Sequence, residues 1–283
     1  MSISNPTYKD YSFADHGKVY GILETMFSRF GIEYYLIGAN ARDVHLYKEG
    51  IQPNRSTADV DFAVMVPDFD AYNALFKALC KVGFRTVKEP YRLIFDKTDT
   101  ILDLMPYGEI EQDYTVNFNE RELTLSVLGF KEVGEHIEFV EVPEVGLNIP
   151  VTPIEGIFIL KLVSWSDKPY RRQKDLEDIA VLLKNAWDLY ETEAYENHLE
   201  IFDDDDFKMQ TAAAHIIGKK MRPILNTNKA LKHIIVGIIE RSIEEKPKAE
   251  QPEITIAQQL NMSIAEVQNI MTYLLAGIKS QVT

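Results

Sequence analysis

Two carboxylates stand at the head of an apolar strand, and this constrains the fold more than any other stretch of the chain. The run Phe62-Ala63-Val64-Met65-Val66 is short, continuous and rich in β-formers, and Pro67 ends it. It predicts a strand buried on both faces. Asp59 and Asp61 precede it, and strand alternation points both side chains to one side, about 7 Å apart along the chain. Two like charges held so close repel each other and lose solvation. A cation must offset them, or the strand end must lie open to water.

The surroundings predict how that strand is embedded. Residues 16–30, HGKVYGILETMFSRF, place apolar side chains at helical intervals and stop at Gly31, and IEYYLI (32–37) reads as a strand. Gly38-Ala39 makes a tight turn, and NARDVHLYKEG reads as a short helix closed by Gly50. Strand, glycine turn, helix, loop and the Asp59/Asp61 strand together make an α/β beginning. An amphipathic helix is expected over 70–84, then strands at 91–96, 100–105, 114–118, 123–128 and 137–142, most of them in one sheet.

The period changes at Thr152. Thr152 reads as an N-cap, Pro153 as the first helical residue and Glu155 as the capping-box partner of a helix running to about Trp165. A second helix is expected at roughly 170–187. Nearly everything after it is helical, ending in a helix pair within ITIAQQLNMSIAEVQNIMTYLLAGI, where Ser263 and Glu266 form a capping box. The expected fold class is α/β (α+β): a mixed-sheet domain with flanking helices over 1–150 and a helical domain over 151–283.

Composition narrows the function classes. With 283 residues, 46% of them hydrophobic, the chain can build proper cores. Its 30 Lys+Arg against 44 Asp+Glu leave a net charge of −14, which argues against a surface built to coat nucleic acid. The densest local basic patch is Lys168, Arg171, Arg172 and Lys174, read as a solvated face or a polyanion contact. One cysteine, Cys80, cannot make an internal disulfide, and the first residues carry no signal-peptide pattern, so the cytoplasm is expected. The stretch IFILKLVSW is too short to span a bilayer, so no membrane association is expected.

Two carboxylates on one strand face are a natural seat for Mg²⁺ (or Mn²⁺), which takes oxygen ligands and is usually shared between one or two carboxylates and substrate phosphates. Asp103 in TILDLMPYG offers a third acid at the end of another apolar strand. Three such acids on adjacent strands suit two metal ions and in-line attack on phosphorus. The Gly38-Ala39 turn supplies backbone N–H groups to an anion and lets a phosphate approach closely. Lys161, inside an apolar helix, must snorkel, pair with an acid or face a cleft. Arg171 with Asp175 and Lys174 with Asp178 are spaced as i,i+4 pairs. Cys80 lies on an apolar helical stripe and is expected in the core; the acids at 203–206 read as a loop or helix start.

YYLIGANAR followed by RSTADVDFAV resembles the hallmark of the nucleotidyltransferase superfamily: a hydrophobic strand, a glycine turn, a helix and an Asp-x-Asp strand, with a third Asp later. The nearer resemblance is to the AbiEii-like nucleotidyltransferases, toxins of type IV toxin–antitoxin and abortive-infection systems. It rests on Arg55, Thr57, Asp59 and Asp61, then on Lys161, Asp175 and Asp178, and covers roughly residues 30–185. Ala39 stands where that family usually has Gly or Ser.

The resemblance implies an enzyme that moves a nucleoside monophosphate from an NTP to an acceptor hydroxyl, releasing pyrophosphate. Asp59, Asp61 and Asp103 would bind the metal, and Asp103 would help deprotonate the acceptor. Gly38, Ala39 and Arg42 would hold the triphosphate, Lys161 would neutralise its charge, and Asp178 would join the nucleotide site. The acceptor would be the 3′ end of tRNA, a protein or a small molecule, and an antitoxin is the implied partner. A catalytically silent interaction protein of the same fold and a metal-dependent phosphohydrolase are the alternatives.

Overall fold

The computed structural model describes residues 13–52, 59–142, 146–203, 206–244 and 251–280. Arg55 and Thr57 lie outside them, as do residues 204 and 205 of the acidic run. The chain divides into two compact units, Met1–Pro153 and Ile154–Thr283.

The first unit runs α1 (Phe13–Phe30), β1 (Tyr34–Ile37), α2 (Gly38–Lys48), β2 (Asp59–Met65), α3 (Phe69–Cys80), β3 (Phe84–Thr86), β4 (Arg92–Phe95), β5 (Thr100–Tyr107), β6 (Thr115–Phe118), β7 (Leu123–Ser126), α4 (Phe130–Gly134), β8 (Glu138–Val142) and β9 (Leu147–Val151). Seven strands form one mixed sheet in the order β3-β4-β5-β2-β1-β9-β8. The strands β6 and β7 stand apart as a two-stranded hairpin. Two strands were not expected from the sequence: β3 has three residues, and β9 contains Pro150, which argues against a paired strand.

Alternation along β2 explains the layering. Phe62 points to one face and meets the rings of Tyr20 and Phe27 on α1, at centroid distances of 5.8 and 6.0 Å. Ala63, next along, points to the opposite face with its cross-strand partner Tyr35, whose hydroxyl donates to the Phe130 carbonyl of α4 at 2.6 Å. Asp59 and Asp61 share the Ala63 face. The helix α3 is capped as its sequence suggests, Asp68 accepting from the Ala71 N–H at 2.8 Å. Cys80 ends that helix exposed, against the expectation of a core position, because it follows the outward face that carries Asn73 and Lys77.

The second unit is all helical: α5 (Ile154–Asp167), α6 (Gln173–Lys184), α7 (Ala186–Asn197), α8 (Met209–Thr227), α9 (Lys229–Ser242), α10 (Pro252–Leu260) and α11 (Ile264–Lys279). The Thr152 hydroxyl donates to the Leu36 carbonyl of β1 at 2.7 Å, and in the helical unit Glu155 accepts from the Tyr190 hydroxyl at 3.1 Å. The capping box at Ser263 and Glu266 does form. The terminal pair α10–α11 is packed into this unit. A Cβ on Gly218 of α8 would fall 2.1 Å from the Leu274 carbonyl oxygen, and one on Gly277 of α11 equally close to that of His215. Only glycine permits so near a crossing. No helix among the described residues is long and apolar enough to cross a membrane.

Candidate active site

Strand register assembles the first cluster. The strand β2 pairs in parallel with β5, setting Asp61 opposite Asp103. The strand β4 pairs antiparallel with β5, setting Arg92 opposite the same Asp103, and β1 sets Ile37 opposite Asp61. Residues opposite one another face the same side of a sheet. Arg92, Asp103 and Asp61 therefore form one row over three adjacent strands, with Asp59 on the same face one pleat away and Gly38 at the row's end.

The cation that the paired carboxylates call for is Arg92. Its Nε and Nη2 donate to the two carboxylate oxygens of Asp103, both at 2.7 Å, in a bidentate fork, and Nη2 lies 3.7 Å from Asp59. Burial pushes the Asp103 carboxyl above the usual aspartate range, while the guanidinium pulls it back. The hydrogen bonds to Asp103 hold Arg92 firmly charged. Three carboxylates against one guanidinium still leave the row two charges negative when all are ionised.

At the other end of the row, β1 runs straight into α2 without the separate turn expected. The helix begins at Gly38, whose φ is +72°, and Ile37 before it supplies no side-chain cap. A Cβ on Gly38 would fall 2.4 Å from Asp61 Oδ2, so glycine is required both for the backbone angle and for the contact. Ala39, half-buried, follows in the first turn. Asn40, fully buried, donates from Nδ2 to the Asp59 carbonyl at 2.5 Å and ties the helix start to the carboxylate strand. Arg42 is committed elsewhere: it is buried and its Nε donates to Asp43 at 2.7 Å.

The second cluster lies in the helical unit. Lys161 of α5 places Nζ 2.9 Å from Asp175 Oδ1 and 2.7 Å from Asp178 Oδ2, both on α6. Burial works to lower the Lys161 ammonium, but the two carboxylates outweigh it and raise it. The i,i+4 pairs expected within this stretch are therefore replaced. The helix α6 starts only at Gln173, which leaves Arg171 off it, and Lys174 is exposed while Asp178 is buried.

Sequence reasoning missed Arg92 and Asn40. Alternation of Leu93 and Phe95 inward does put Arg92 on the other face of its strand, but only register reveals Asp103 as its partner. Among the described residues no three His, Cys, Asp or Glu side chains are drawn together to hold a metal ion. Asp59 and Asp61, side by side on one face, fit an ion shared with substrate phosphates rather than a closed cage. Asp103 has both oxygens in the Arg92 fork and would join only by giving it up.

Comparison with known proteins adds one match. The family model described as "Nucleotidyl transferase AbiEii toxin, Type IV TA system" matches residues 30–268. The match extends past the roughly 30–185 that the motifs covered and takes in most of the helical unit. No curated protein matches the chain.

Proposed function

Because the chain belongs to the AbiEii family of nucleotidyl transferase toxins of type IV toxin–antitoxin systems, we propose that it transfers a nucleoside monophosphate from an NTP to an acceptor hydroxyl. The observation that carries this reading is the row in which Asp61 and Asp103 stand opposite each other, with Asp59 one pleat away and the Gly38 helix start beside them.

In the proposed reaction the acceptor oxygen attacks the α-phosphorus, a new O–P bond forms, and the bond to the β-phosphate oxygen breaks to release pyrophosphate. A divalent cation, Mg²⁺ or Mn²⁺, bound through Asp59 and Asp61 would supply positive charge to the triphosphate and acidify the acceptor hydroxyl. The backbone at Gly38 and Ala39 lies beside Asp61, where a helix N-terminus favours phosphate oxygens. Asn40 keeps the Asp59 backbone in register with that helix start. An Asp103 oxygen takes the acceptor proton once Arg92 releases it. Within the helical unit, Asp175 and Asp178 keep the Lys161 ammonium charged and in place. The proposed setting is the cytoplasm, with an antitoxin as protein partner.

One observation favours a rival. With both Asp103 oxygens held by Arg92, a catalytically silent, partner-binding protein would present the same cluster. The test is to incubate the protein with each α-³²P-labelled NTP, Mg²⁺ or Mn²⁺ and cell extract, and to resolve RNA, protein and small molecules separately. Label in one fraction establishes transfer and names the acceptor class. Labelled NMP or free phosphate with no labelled acceptor marks a phosphohydrolase, and no reaction at all leaves the silent protein.

A further inference from the structure

The first unit also carries a cavity of about 850 Å³, bounded by α3, the β3–β4 connection, β6 and the 3-10 turn after it. Its charge runs against the chain's. Among the described residues Lys77, Lys81, Arg92 and Arg121 line it, with Glu89 as the single carboxylate, whereas the whole sequence has fewer basic than acidic residues. Among the described residues Lys77, Lys81 and Arg121 have no ion-pair partner. Unpaired like charges around one concavity repel, and an anion there relieves them.

The rest of the lining adds ring and edge recognition. Phe76 and Phe118 form buried wall, and Phe69 packs edge-on against Phe118 with centroids 5.4 Å apart. Asn73 and Asn119 bring amides with both donors and acceptors, and Asn117, whose Oδ1 accepts from the Thr124 hydroxyl at 2.7 Å, brings its amide donors. Cations for phosphate, aromatic faces for stacking and amides for a base edge are together the chemistry of a nucleotide. Arg92 belongs to both places. Its fork on Asp103 uses Nε and Nη2 and leaves the N–H groups of Nη1 for a ligand.

We propose that this cavity holds the nucleotide-bearing acceptor, its phosphate against Lys77, Lys81 and Arg121 and its base against the phenylalanine rings, one arginine away from the carboxylates. This rests on the transferase reading for the word acceptor; the binding itself does not.

Cys80, the only cysteine, is exposed and lines the cavity, so its alkylation rate reports occupancy in the unmodified protein. The probes are a short single-stranded RNA oligonucleotide and, separately, a nucleoside monophosphate, both without divalent metal. The expected result is alkylation slowed several-fold by at least one probe, with protection lost in Lys77→Glu/Lys81→Glu and maintained when Mg²⁺ and NTP are added. Protection by the oligonucleotide alone assigns a polynucleotide end as the source, and protection by the mononucleotide as well admits a free nucleotide; both support the site. No protection by either probe, protection indifferent to the charge reversal, or protection abolished by Mg²⁺ and NTP overturns it. If protection is seen but no label is transferred in the NTP assay, the cavity stands as a nucleotide site and the transferase reading is what fails.

Discussion

The two charged clusters are made of the same materials in opposite proportions of burial. In the sheet, Arg92 pairs with Asp103 and lies near Asp59; Asp59 and Arg92 keep 39% and 28% of their side-chain surface exposed, and Asp103 keeps 6%. In the helices, two aspartates close on one lysine, and Lys161, Asp175 and Asp178 keep 15%, 8% and 4%. An exposed ion pair contributes little to stability, because water and salt do most of its work. A buried one cannot lose a partner without stranding a charge. The Asp59 side of the sheet cluster is therefore free to exchange partners, whereas the helical triad is bound to its own.

The largest effect should come from the open cluster and should spare the fold. Asp59→Asn/Asp61→Asn is expected to lower label transfer by about a thousandfold or more, removing both anchors for metal-borne charge. Its urea midpoint should equal or exceed the wild-type value, since a repulsion is relieved.

The triad should behave in the opposite way. Lys161→Met is expected to cost about 3 kcal/mol of unfolding free energy, because Asp175 and Asp178 are left buried and uncompensated. Adding Asp175→Asn/Asp178→Asn to that variant should recover most of the loss in the same urea titration. A Lys161→Met protein as stable as wild type would erase the contrast between the clusters.

Gly38→Ala sharpens the comparison from the backbone side. A Cβ there meets Asp61 at 2.4 Å and strains a φ of +72°, so the carboxylate row must shift. Misplacing reacting groups by about 1 Å lowers rates on the order of a hundredfold. The transfer assay should show that loss, with stability reduced by about 1 kcal/mol.

Among the described residues Glu253 is the case of burial without a cation. It is fully buried on α10, and burial pushes its carboxyl from the ordinary 4.5 up to about 7. The folded state thus holds the proton more tightly than the unfolded chain does. The group costs nothing below the unfolded value, destabilises progressively as pH rises from about 4.5 to 7, and carries its full cost above that. Glu253→Gln should stabilise the protein on the order of 2 kcal/mol at pH 8, and the two urea midpoints should converge at pH 4.

Much of the sheet unit was legible because alternation and punctuation are local. Phe62 to Val66, the Gly38 turn and the strand carrying Asp103 each announce themselves within a few residues. What joins them is not local. That Asp103 stands beside Asp61, and Arg92 beside Asp103, is decided by register over about 40 intervening residues, which periodicity does not encode. The helical unit hid its triad for a related reason. Asp175 and Asp178 have nearer basic neighbours in sequence, yet the start of α6 at Gln173 and the inward turn of its acidic face hand both to Lys161. The bond from the Thr152 hydroxyl to a strand carbonyl is likewise invisible from a capping pattern. The basic cavity was invisible too. Lys77, Arg92 and Arg121 come from separate elements, whereas the patch that sequence did reveal, Lys168 to Lys174, is a single run.

The most direct test measures transfer of label from α-³²P NTP and the urea midpoint on the same preparations of wild type and Asp59→Asn/Asp61→Asn. Transfer lost with the midpoint unchanged or raised is the expected result, and it places the chemistry on the open carboxylate row. Transfer that persists in the double variant, or that disappears only with the fold, contradicts that placement.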